Sequence, residues 1–243
     1  MRSRALVLSA ASGMALAAAA ANADIINLNP VADTFVSSAQ PDGNFGSAGG
    51  LSVAAPGLAQ GEFQTLIRFD TAPAIAAFNA SFGAGNWTVS EVSLVLTSTN
   101  ANNPVFNTPA AGQFTLSWMQ NDTWVEGTGG PSAPSPIGVN FNSLPSFLSA
   151  ADETLGTFAY SGATSGTVTA TTSLAAGFLS DVAAGGPVSL RLFAADASIA
   201  WVFNSRNFGT VGSHPVLSIT AVPAPGAAGV IGLASLALIR RRR

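Results

Sequence analysis

The chain has 243 residues, 48% of them hydrophobic and only 9% charged, with twelve acids against nine bases and a formal net charge of −3. It has no cysteine and a single histidine, His214, which excludes disulfides and thiol chemistry and leaves too few nitrogen and sulfur ligands for a zinc site. The acidic balance excludes the basic face that a nucleic-acid partner requires.

The N-terminus opens with Arg2 and Arg4, continues through an apolar run over residues 5–20, and reaches Ala21-Asn22-Ala23. Basic start, apolar middle and an Ala-x-Ala site define a secretory signal peptide over residues 1–23. Ala21 and Ala23 mark its cleavage site, the export machinery is its expected partner, and Asp24 is the expected first residue of the mature chain.

Residues 24–221 are one domain's worth of chain, long enough to bury a core. All the basic residues are arginines, and only Arg68, Arg191 and Arg206 lie in this body beside all twelve acids, a formal charge of −9. Gly, Ser, Thr, Asn and Ala abound, whereas the long charged side chains that coat helices are scarce. Strand-like alternation between turn clusters predicts strands at 25–28, 33–36, 65–69, 89–97, 113–119, 167–171, 188–194, 199–203 and 216–220. The clearest is 89–97, with Val92, Leu94 and Leu96 on one face and Glu91 and Ser93 opposite. Short helices are expected around 73–78 and 174–184, and the Gly- and Pro-rich stretch 127–138 as one long surface loop. The fold class is therefore all-β, a single antiparallel β-sandwich with one or two short helices.

At the C-terminus, Val222-Pro-Ala-Pro-Gly226 leads into a small and apolar run that stops at Arg240, Arg241, Arg242 and Arg243. Breaker, apolar segment and basic stop describe a membrane-held tail with its basic end on the cytoplasmic side. Residues 226–239 would make about 20 Å of helix, against a bilayer core of about 30 Å. Pro223 and Pro225 discourage extending it backward, so the tail reads as a transient anchor. Val222, Pro223, Pro225, Gly226 and the arginine cluster resemble a PEP-CTERM sorting signal, with Pro-Ala-Pro where that family has Pro-Glu-Pro. The resemblance implies an exosortase-type membrane enzyme as partner and release or transfer of the body at the outer cell surface.

The body also resembles the DNRLRE-type domains of secreted bacterial proteins. Ala32-Asp-Thr-Phe-Val36, Pro41-Asp-Gly-Asn-Phe-Gly46, Leu51-Ser-Val53 and Thr65-Leu-Ile-Arg-Phe-Asp70 are similar to that family's opening. Trp118-Met-Gln-Asn-Asp-Thr-Trp124 is similar to its middle segment. Phe203-Asn-Ser-Arg206 and His214-Pro-Val-Leu-Ser-Ile-Thr220 are similar to its close. This resemblance implies a jelly-roll-like sandwich with a surface or adhesive role, assigns no reaction, and brings sugar binding for some members only.

Candidate sites follow from residue chemistry. Trp118 and Trp124 could stack on a pyranose ring or sit in the core. Asp33, Asp42 and Asn44, close together around the first turn, offer oxygens for a structural calcium. Asp122 with Glu126, or Asp152 with Glu153, are the carboxylate pairs available for glycan hydrolysis, with solvated acids as the alternative. His214 has no nucleophile marked beside it. Arg68 and Arg191 lie on otherwise apolar strands and are expected to need a carboxylate, with Asp70, Glu91 and Asp196 as options.

The reading is a non-enzymatic exported protein of three parts: signal peptide 1–23, sandwich 24–221 and sorting tail 222–243. A structural or adhesive role at the cell surface or in the extracellular matrix comes first. Carbohydrate binding to an extracellular polysaccharide is the alternative, and a weak glycan hydrolase or lyase the third.

Overall fold

The computed structural model describes residues 22–100 and 102–225. Residues 1–21 of the expected leader, with Ala21, and residues 226–243 of the tail, with Gly226 and Arg240 to Arg243, lie outside the described residues.

The described chain forms strands β1 (Asp24–Leu28), β2 (Pro30–Ser37), β3 (Gly50–Ala54), β4 (Phe63–Asp70), β5 (Trp87–Thr97) and β6 (Gly112–Met119). β7 (Glu153–Tyr160), β8 (Thr167–Thr171), β9 (Pro187–Ala194), β10 (Ala200–Asn204) and β11 (Val216–Pro223) follow. Helices α1 (Ala72–Phe82) and α2 (Ala176–Ala184) interrupt them. One sheet has the order β1-β11-β5-β8; the other runs β10-β3-β4-β9-β6-β7, with β2 on β4. Every strand pair is antiparallel. β1 and β2 are nearly continuous in sequence yet belong to different sheets, so the chain crosses between layers at Asn29.

The main core lies between the sheets. Ile67 and Phe69 of β4, Leu190 and Leu192 of β9 and Phe114 and Leu116 of β6 meet Val92, Leu94, Leu217 and Ile219 of the smaller sheet. Each such side chain contributes about 1.5–3 kcal/mol by leaving water. Trp201 stacks on Tyr160 with ring centroids 4.9 Å apart. On β5 the expected face holds: Val92, Leu94 and Leu96 are all buried. Val89 is buried with them despite its odd spacing, because the pairing with β11 slips between Thr220 and Ala221. The extra residue, Ser90, resets the strand's phase, as a β-bulge does.

The larger sheet is covered on both faces. Successive residues of a strand point to opposite sides, and Leu66 of β4 packs away from Ile67, with Val36, Met119, Trp124, Val139 and Leu144. A third cluster gathers Phe35, Phe45, Ala54 and Phe63, with Phe35 and Phe45 stacked at 4.3 Å. The long 120–148 connection supplies much of this outer layer.

Both helices begin on acids. The Asp70 carboxylate accepts the Ala72 N–H at 3.0 Å. Glu153 reaches from the start of β7 to accept the Gly177 and Phe178 N–H groups at 3.0 and 2.7 Å. A carboxylate there satisfies open donors and suits the positive end of the helix dipole.

Two strands fall outside the expected set: the short β3, and β7, an edge strand whose first residue Glu153 lies in sequence that reads as polar loop. Among the described residues no helix is long and apolar enough to cross a membrane.

Candidate functional site

Four polar side chains from distant parts of the chain meet at the edge of the larger sheet. β2 pairs only with β4, so its other side is an open row of backbone groups that needs protection. Glu126 Oε1 accepts the Asp33 N–H at 2.9 Å. The Arg206 guanidinium holds the same carboxylate in a two-pronged pair, Nε to Oε1 and Nη2 to Oε2, each at 2.6 Å. The Arg206 N–H in turn donates to Asp33 Oδ2 at 2.6 Å. Asn44, fully buried, donates through Nδ2 to the Glu126 and Val139 carbonyls, both at 2.7 Å, and accepts the Gly46 N–H at 2.9 Å. Gly127 lies so near that a Cβ there would clash with Asn44 Oδ1, and its φ of +79° favours glycine.

This node has one unbalanced member. Asp33 is 1% exposed, and its Oδ1 has no hydrogen-bond partner. Burial pushes its carboxyl up to about 7, the Glu126 carboxylate adds to the rise, and the Arg206 N–H and guanidinium oppose it. Arg206 is held above its usual range chiefly by its hydrogen bonds to Glu126. The arrangement can take up a proton near neutrality, but Asp33 is sealed from any substrate.

A second cluster lies under the 120–124 segment. Trp124 Nε1 donates to Ser189 Oγ at 2.8 Å. Arg68 donates to the Asp122 and Trp124 carbonyls at 2.6 and 2.9 Å, and its guanidinium lies 4.7 Å from the Trp124 ring centre. Trp118 Nε1 donates to Asp181 of α2 at 2.8 Å. Burial raises both Asp122 and Asp181; Ser189 opposes the rise at Asp122 and Trp118 that at Asp181.

Several expectations are corrected. Trp118 and Trp124 do not form a surface platform: they are 6% and 1% exposed and belong to different core clusters. Arg68 takes backbone carbonyls and an aromatic face instead of a carboxylate. Arg191 takes Gln64 Oε1 at 2.8 Å and the Phe193 ring. Such partners let a guanidinium sit half-buried beside apolar residues. The carboxylate pairs are split: Asp122 Oδ1 is buried without a hydrogen-bond partner while Glu126 serves Arg206. Asp152 accepts the Gln120 and Ser149 N–H groups while Glu153 caps α2. His214 Nε2 lies 2.7 Å from the Phe208 carbonyl.

Each group considered for calcium has one oxygen bonded elsewhere, and Asp33 Oδ1 alone is buried without a partner. Asp42 Oδ1 accepts from Asn142 at 2.8 Å, Asn44 Oδ1 is taken by Gly46, and Asp33 Oδ2 by Arg206. A calcium ion needs six or more oxygens turned inward together. Added calcium and EDTA are therefore expected to leave the melting temperature of the purified protein unchanged; a rise of several degrees with calcium would restore the ion.

A surface depression of about 350 Å³ is lined by Gln40, Gln60, Asn103, Ser132, Pro104 and Pro131 among others, with no charged group. Scans of protein-family models and of curated proteins return no match to this chain.

Proposed function

We propose that this chain is an exported structural or adhesive component of the bacterial cell surface or extracellular matrix, delivered through its C-terminal sorting signal. The observation that carries the reading is the pairing of the two targeting patterns: Arg2 to Ala23 at one end, Val222 to Arg243 at the other. The body's geometry supports it. Asp24 and Ala221 are cross-strand partners, so both ends leave from one corner of the smaller sheet. The strand orders β1-β11-β5-β8 and β4-β9-β6-β7 interleave as a jelly roll does, which suits the resemblance to DNRLRE-type domains. The networks around Glu126 and Arg68 tie loops to strands.

Carbohydrate binding is the second reading, favoured by one feature. The amide- and hydroxyl-lined depression around Gln40 and Asn103 is chemically suited to a neutral saccharide.

Mass spectrometry of both termini of the secreted protein tests the first reading. The expected result is a chain that starts at Asp24 and lacks residues 226–239; persistence of that segment in mature protein sinks it. Binding to a polysaccharide on a glycan array, lost in Gln60→Ala, would move the second reading ahead.

A further inference from the structure

The sorting motif begins inside the folded body. Val222 pairs with Thr88 and Pro223 with Trp87, at the end of the register that β11 shares with β5. The Ala224 N–H donates to the Asn86 carbonyl at 2.8 Å, one residue beyond the strand. Trp87 is itself fixed, its Nε1 donating to Asn79 of α1 at 2.8 Å and its ring packing on Phe78. Val222, Pro223 and Ala224 are half-buried; Pro225 is exposed.

An enzyme that cuts a peptide bond must surround it and orient its carbonyl, and binding sites for extended peptides pair with backbone much as a neighbouring strand does. Backbone already engaged by β5 is unavailable until it is released. Val222 and Pro223 pair with β5 alone, so releasing them means breaking that end of the ladder and the Ala224–Asn86 bond, while β1 holds the strand on its other side from Ala221 upstream. Along the chain, the Val222–Pro223 bond lies within the ladder and the nitrogen of the Pro223–Ala224 bond is hydrogen-bonded to Asn86. Ala224–Pro225 is a prolyl bond, whose ring fixes φ and removes the N–H. The next bond is Pro225–Gly226.

Resting on the sorting reading above, we infer that processing cuts this chain at the Pro225–Gly226 bond or beyond, so that the folded sheet sets the upstream limit of cleavage. In hydrolysis, water adds to the scissile carbonyl and the C–N bond breaks. The upstream residue keeps the carboxylate, and the tail leaves with a free amine that takes the proton; no oxidation occurs. The mature protein thus retains all of β11, including the Val222-Pro223 half of the motif. An enzyme that needs that half must read it before β11 docks.

Two measurements on the full chain test this. In cells carrying the sorting enzyme, the C-terminal peptide of the mature protein is sequenced by mass spectrometry. An end at Pro225 or later is expected, and an end between 216 and 224 overturns the inference. In parallel, purified uncut chain is treated with proteinase K under native conditions. Cleavage within 216–223 is expected at least 100-fold slower than cleavage beyond Pro225; comparable rates overturn the shielding. A tail retained whole in cells defeats the sorting reading, and the proteinase arm then decides the shielding by itself.

Discussion

At pH 8 the Asp33→Asn variant is expected to be more stable than the parent by about 1–3 kcal/mol, with the two converging near pH 4. The folded protein holds the Asp33 carboxyl near 7, against an ordinary 3.8, because burial penalises its charge. Between those values the folded chain binds a proton that the unfolded chain has released. Stability from this group is therefore complete below about pH 4 and is lost as pH rises through 7. A rise of that size corresponds to an upper bound of about 4 kcal/mol. The carboxamide removes the charge and keeps an acceptor for the Arg206 N–H, but its NH2 must find a partner, which reduces the gain. Asp122 and Asp181 are raised too, so the variant should keep a shallower slope of the same sign. Urea unfolding at pH 4.5 and pH 8 checks this: a parent chain equally stable at both, or a variant weaker at pH 8, would refute it.

Asn44→Ala is expected to cost roughly 3–5 kcal/mol, since each buried partner left unsatisfied costs about 1–3 kcal/mol. The change orphans the Glu126 and Val139 carbonyls and the Gly46 N–H at once. It should also free the 120–142 connection from the sheet before the rest unfolds. Hydrogen exchange is the sharper readout: Asn44→Ala should lose protection at Val139 and Asp33 while β9 amides stay protected. A loss below about 1 kcal/mol, with protection intact, would mean that the loop is held by its apolar contacts alone.

Strands are legible where one face alone meets the core. Residues 89–97 and 167–171 alternate because the pleat does, and both are strands. β7 escapes because it is an edge strand whose Glu153, Gly156 and Thr157 look like loop residues; its pairing with β6 depends on a partner more than thirty residues away. β4 is buried along nearly its whole length, Gln64 and Thr65 included, because both its faces are covered, one by residues of the 120–148 connection. The node is legible only as separate pieces. Asp33 and Asn44 stand out as oxygen donors near a turn, but Glu126 and Arg206, 93 and 173 residues from Asp33, complete the set. Nothing local in a sequence encodes such closures. The half-buried arginines mislead for a related reason: backbone carbonyls, an amide and ring faces stand in for the expected acids, and none leaves a mark in composition.

The middle position of β11 has a mechanical consequence. A pull on the chain beyond Pro223 is delivered along the axis of a strand that is paired at five positions with β1 and eight with β5. Such a force loads both ladders in shear, many rungs together, instead of peeling them one at a time as it would from an edge. Any load on the chain at that end would thus fall on a strand braced along both its sides.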